Sequence, residues 1–196
     1  MRKKTLLVTV LCVLSVFSVY SQQNDSVSKP RSHFSLAIST GWSHYINSLE
    51  TVDANEVGKD FVGANLRFLW EPGYRLGLGL EAGFYRIYGI NMELAPEVLG
   101  KSKLYCFPLL LVARMRIVDH FYLSVAPGLS ILVSEISTDQ DKIISTQFSL
   151  ANFEATASYL YPVSKHFLIG GEARFLIIGK IEDYLYSIQA TCAVKL

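Results

Sequence analysis

The stretch from Tyr184 to Leu196 shows the most regular alternation in the chain. Counting back in twos, Leu196, Val194, Cys192, Ala190, Ile188, Tyr186 and Tyr184 are apolar or aromatic; Lys195, Thr191, Gln189 and Ser187 hold the other face, interrupted by Ala193 and Leu185. Successive side chains of a strand point to opposite faces, so the pattern predicts a strand that is apolar along one side. Its length and the aromatic pair near its start fit a β-strand crossing a membrane at a tilt.

Seven earlier segments repeat the pattern. His33 to Tyr45 sets Phe34, Leu36, Ile38 and Trp42 against Ser35, Ala37, Ser39, Gly41 and Ser43. Val62, Ala64, Leu66, Phe68 and Trp70 oppose Gly63, Asn65, Arg67, Leu69 and Glu71, and Leu76, Leu78, Leu80, Ala82 and Phe84 oppose Gly77, Gly79, Glu81, Gly83 and Tyr85. From Leu104 to Ile117 the apolar face is Tyr105, Phe107, Leu109, Leu111, Ala113 and Met115; Pro108 on the other face donates no ladder bond, which predicts a bulge or a weakened bond there. Phe121 to Ser134, Thr146 to Tyr161 and Phe167 to Ile177 complete the set.

Connections alternate short and long. Turns fall at 71–73, 118–120 and 162–165, and polar loops at 46–60, 89–101 and 135–145, with a brief link at 179–183. This plan predicts an all-β chain forming an eight-stranded antiparallel up-and-down transmembrane β-barrel, with tight turns and both termini on the periplasmic side.

Alternation alone does not say which face is inside, and a soluble lipocalin-like carrier would turn the apolar face inward around a ligand. The polar face argues otherwise. It is rich in Gly, Ala and Ser, and its charges nearly balance: Arg67, Arg114, Arg116, Arg174 and Lys195 against Glu71, Glu81, Glu154 and Glu172. A crowded interior requires such residues. The apolar face carries aromatics near strand ends, at Trp42, Trp70, Phe84, Tyr105, Phe121, Tyr159, Tyr161, Phe167 and Tyr184, as interfacial girdles do. The apolar face is therefore expected toward lipid.

Composition sharpens this picture. Residues 1–21 carry Arg2, Lys3 and Lys4, then an apolar run from Leu6 to Tyr20 and Ser21, the form of a secretory signal peptide cut after Ser21. Residues 22–32 read as a disordered lead-in and 33–196 as the barrel. Removing the signal takes three of the 18 Lys plus Arg and none of the 17 Asp plus Glu, so the mature chain is near neutral and offers nucleic acid no electrostatic footprint. Cys106 and Cys192 survive processing and are expected as two free thiols, with no zinc spacing.

The stretch from Leu104 to Leu111, the Gly-spaced run from Leu76 to Gly83 and the signal ending in Ser21-Gln22-Gln23 resemble the outer membrane protein beta-barrel domain family common in Bacteroidetes-type bacteria, small barrels of OmpA/OmpX-like architecture. The resemblance covers about residues 33–196. It implies an outer-membrane location, membrane lipid and the outer-membrane assembly machinery as partners, and no cofactor. One departure is Leu196, where such barrels often end in an aromatic.

An eight-stranded barrel leaves room only for side chains. Arg67, Glu81, Glu154, Glu172 and Arg174 fall near mid-depth, with Glu71, Arg114, Arg116 and Lys195 toward the periplasmic end, and a paired charge network filling the interior is expected over a gated ion path. Catalysis is not expected. Of His33, His44, His120 and His166, only His44 has a candidate nucleophile beside it, Ser43, and strand neighbours face opposite ways. The sequence thus points to a non-enzymatic outer-membrane barrel with a structural role or an extracellular ligand or protein partner at its loops. A small porin-like channel is the alternative; a lipid-modifying barrel enzyme is a more distant one.

Overall fold

Strands form wherever small polar and large apolar side chains alternate, because each such segment then has one face for lipid and one for a crowded interior. The computed structural model describes residues 32–46, 57–72, 75–95, 98–137, 142–179, 181 and 183–196. The expected signal peptide, the lead-in up to residue 31 and most of the 46–60 loop lie outside them. The strands are β1 (His33–Ile46), β2 (Val57–Gly58), β3 (Asp60–Glu71), β4 (Leu76–Ala95), β5 (Val98–Val118), β6 (Phe121–Ser137), β7 (Lys142–Pro162), β8 (Phe167–Ile178) and β9 (Asp183–Lys195). The two-residue β2 continues β3 outward past Lys59 and pairs with β4 at Ile90 and Gly89, so the wall has eight staves.

All neighbours are antiparallel, and the ring closes through β1 and β9, with Ile38 opposite Cys192 and Trp42 opposite Ile188. Closure satisfies backbone groups that hydrocarbon cannot. Among the described residues no helix is long and apolar enough to cross a membrane.

The structure corrects two expectations. Most of the predicted loops 89–101 and 135–145 is strand: Asn91 pairs with Lys101, Ile90 with Ser102, and Ser137 with Lys142. Residues 134–137 and 142–147 are solvated to some degree on both faces, so selection for an apolar face is absent and the period-2 signal fades. At Pro108, where a bulge or a weakened bond is expected, the pairing weakens: Pro108 stays in register opposite Ser130, while the Gly83–Pro108 and Phe84–Phe107 positions drop out of the β4–β5 ladder. Register shifts fall at Arg86/Tyr88, Arg116/Val118, Gly128/Ser130 and Glu93/Ala95. The second correction is Arg116. It sits exposed at the strand end, beside the second of these shifts, and not within the filled interior.

The apolar face lies outside. Val62, Leu66, Leu80, Leu111 and Ile188 are at least half exposed, and between rings of aromatics this aliphatic belt circles the barrel. Trp42, Phe84, Tyr105 and Tyr184 stand toward the outer end; Trp70, Phe121, Tyr159, Tyr161 and Phe167 stand toward the turns at 119–120 and 163–166. Tyr105 and Phe121 are half-buried by neighbours; Phe84 stacks on Tyr105 at 5.9 Å.

The interior is layered. An apolar plug of Tyr45, Tyr85, Ile87, Leu104, Cys106, Leu132, Leu176, Ile178 and Leu185 fills the outer part. A charged layer follows, and below it lie Leu69, Leu110, Val112 and Ala126 together with Ala37, Leu160, Leu168 and Ala193. Gly63 shows how tight the filling is, since a Cβ there would stand 2.5 Å from two carbons of the Tyr85 ring. Both cysteines among the described residues are free; Cys106 is in the plug and Cys192 is exposed on the outer face.

Candidate functional site

Two groups of charged side chains occupy the barrel. Each is built by strand register. Arg67 of β3 and Glu81 of β4 are direct cross-strand partners on the inner face, and Arg67 Nε donates to Glu81 Oε2 at 2.5 Å. Across the lumen, Arg67 Nη1 donates to Glu172 Oε1 at 3.1 Å and Nη2 to Glu172 Oε2 at 3.4 Å. Arg174, two residues along β8 and so on the same face, donates from Nε to Glu172 Oε2 at 3.0 Å and from Nη1 to Glu154 Oε1 at 3.0 Å, and pairs with Glu81. All five are at most 3% exposed.

Neutral groups complete this layer. Ser39 and Ser158 hydroxyls donate to Glu172, and Thr156 Oγ1 donates to Glu154 Oε1 at 2.8 Å. Asn65 Nδ2 donates to Gln189 Oε1 at 2.8 Å and to the Tyr85 hydroxyl at 2.7 Å, joining the charged layer to the plug above it. Three carboxylates thus meet two guanidiniums, each guanidinium shared between carboxylates from different strands. Such multiple pairing is what makes burial of these charges tolerable.

The second group lies at the periplasmic mouth. Glu71 of β3 receives Arg114 Nη2 from β5 and His33 Nε2 at 2.7 Å. The Arg114 guanidinium lies over the Tyr122 ring, 4.7 Å from its centroid. Arg116 and Lys195 line the same mouth and carry no ion pair among the described residues. Of the nine sequence-predicted charges, five meet at mid-depth, Glu71 and Arg114 pair lower down, and Arg116 and Lys195 are spread around an opening.

Sequence reasoning missed His33 as a partner of Glu71, because it treated the residue only as the start of a strand. It also missed the apolar plug. The available signal was the set of large apolar residues on the polar face near the outer ends, among them Leu185, which breaks the alternation of β9. At the outer rim, Ser43 Oγ donates inward to the Phe61 carbonyl at 2.9 Å while His44 Nδ1 contacts Asp60 at 2.8 Å, so the two do not form a nucleophile and base. Trp42 Nε1 donates to the same Asp60 carboxylate at 2.9 Å.

A closed antiparallel barrel with an apolar belt between aromatic rings and a polar, side-chain-filled interior defines an integral outer-membrane β-barrel protein. No protein-family model matches the chain, and no curated protein matches it in sequence. Solved structures do match. The crystal structure of Ail, the attachment invasion locus protein of Yersinia pestis, in complex with the heparin analogue sucrose octasulfate, is 12% identical at a TM-score of 0.55, over 85% of this chain and 99% of that one. Neisserial surface protein A (NspA) is 15% identical at a TM-score of 0.51, over 83% of this chain and 97% of that one. At these identities the likeness establishes the fold.

Proposed function

We propose that the chain is a non-enzymatic, non-conducting outer-membrane barrel that meets extracellular partners through the sheet standing above its rim. The carrying observation is the asymmetry of that rim. Strands β4 to β7 run on beyond the barrel, whereas β8 first pairs with β7 at Asn152. Among the described residues, 142–150 of β7 therefore present an edge without a strand on the β8 side. Ile143, Ile144, Phe148 and Leu150 are exposed there, and Lys142 is the one charge in the segment. Edges are normally blunted by charge or proline; an open one suits an extended polypeptide segment that adds as a further strand.

A second reading is a sulfated polysaccharide. Lys101, Ser137 and Lys142 share one row across three strands, and Lys103 follows two residues along on the same face, though Glu135 stands among them and contacts Lys142 at 2.9 Å. Ail, of the same fold, is crystallised with a heparin analogue.

Cells displaying the protein are compared with cells displaying an Ile143→Lys, Ile144→Lys variant for adhesion to immobilised extracellular-matrix protein and to immobilised heparin. The strand-adding reading predicts adhesion to protein that the variant loses. Adhesion to heparin alone, kept or raised by the added lysines, supports the second reading. Adhesion no greater than that of cells lacking the protein, on both surfaces, contradicts the proposed role.

A further inference from the structure

The mouth group has a property that the mid-depth group lacks: positive charge without enough acceptors. A cavity of about 70 Å³ opens at the periplasmic end, lined by Glu71, Arg75, Arg114, Arg116, Tyr122 and Lys195 among others. Glu71, the one carboxylate lining it, is already engaged by Arg114 Nη2 and by His33. Arg114 is 4% exposed, yet its Nη1 has no hydrogen-bond partner. A buried donor left unmade on a charged group is expensive, so this nitrogen calls for an acceptor.

We propose that this mouth is a binding site for an oxyanion of the phosphate-ester class, with Arg114 at its floor and Arg75, Arg116 and Lys195 around its rim. The floor is preorganised. Tyr122 beneath the guanidinium and Glu71 on Nη2 hold the plane of Arg114, which lines the cavity with its Nη1 unpartnered. Guanidinium planes held in this way favour phosphate oxygens, which accept parallel, charge-assisted bonds. Water satisfies one donor but leaves the excess charge in place; an oxyanion answers both. A bound cation is disfavoured, because four basic side chains surround a single engaged carboxylate.

The site lies at the depth of the aromatic ring formed by Trp70, Phe121, Tyr159, Tyr161 and Phe167, where lipid headgroups meet water. Two sources of the same chemistry reach it: the headgroup of an inner-leaflet phospholipid and free phosphate in the periplasm. The proposal is independent of the outer sheet and stands or falls separately from it.

The test uses the full chain in nanodiscs of zwitterionic lipid, titrated calorimetrically with inorganic phosphate against a chloride control. In parallel, native mass spectrometry follows retention of phosphatidylglycerol against phosphatidylcholine. Arg116→Ala and Lys195→Ala, at the exposed and half-buried rim, accompany Arg114→Gln, so that a folding failure of the buried variant leaves the test intact. The expected result is saturable binding of at least one probe, weakened about tenfold by each rim variant. Phosphate binding without lipid retention identifies a soluble ligand, and selective retention of phosphatidylglycerol identifies a headgroup; both support the site. No saturable binding of either probe, or binding unchanged by both rim variants, overturns it.

Discussion

The two charged groups use the same residue types, arginine and glutamate on inward faces, and end with opposite characters. At mid-depth, Arg67 and Arg174 face Glu81, Glu154 and Glu172; every guanidinium is shared, and the layer is sealed above by Tyr45, Tyr85 and Ile87 and below by Leu69 and Leu110. At the mouth, Arg75, Arg114, Arg116 and Lys195 line a cavity with Glu71 as its one carboxylate; Arg114 is buried at its floor, while Arg75 and Arg116 are exposed. Enclosure makes the difference. Where water is excluded, each charge needs protein partners; where the barrel opens, charge can stand in excess and remain available to a ligand.

The largest effect expected on this comparison is at mid-depth. Arg174→Ala strands Glu154 in a dry interior, leaves Glu81 and Glu172 to Arg67 alone, and is expected to destabilise the barrel by about 3–5 kcal/mol, read as a lower urea midpoint for unfolding from lipid vesicles. Next is the same kind of charge moved one residue across the wall. Leu80 is on the lipid face beside inward Glu81, and Leu80→Arg is expected to cost about 2–4 kcal/mol in the same assay. A free-energy change below about 0.5 kcal/mol for either variant would remove the distinction between inside and outside.

The mouth predicts the reverse. Arg116→Ala is expected to leave unfolding within about 0.5 kcal/mol of the unaltered protein, since the residue is exposed and ion-paired to nothing described. The smallest effect is at the outer sheet. The hydrogen bond from Lys142 holds the Glu135 carboxyl below its usual range. Its folded pKa is depressed, so the contact is present above the unfolded value and is lost as pH falls through the folded one. Hydrogen exchange at the β6–β7 tip is expected to rise over that window while amides of the belt stay protected.

What the sequence revealed depended on whether a residue's surroundings impose a pattern. The lipid belt imposes one on every strand, so Ile38, Leu66, Leu80 and Ile188 were legible by counting in twos. Mid-depth charges were legible too, because Arg67, Glu81, Glu154, Glu172 and Arg174 share the face of the small residues, and register then brings them to one depth. The outer sheet was not legible. Ser134 to Ser137 and Lys142 to Gln147 have water on both sides, and nothing there selects between faces. The contact from His33 to Glu71 was also hidden, since it depends on β1 and β3 being neighbours in register, His33 opposite Glu71, and not on any local motif. Leu185 and Ala193, which looked like noise in the alternation of β9, belong to the apolar layers above and below the charges.

The claim at the centre of this account is that the interior is filled and closed, which planar-bilayer conductance of the purified protein tests directly. A sealed barrel gives no discrete current steps. Steady ohmic steps that change in size when Glu154 and Arg174 are replaced by alanine would contradict it and make the mid-depth charges the lining of a channel.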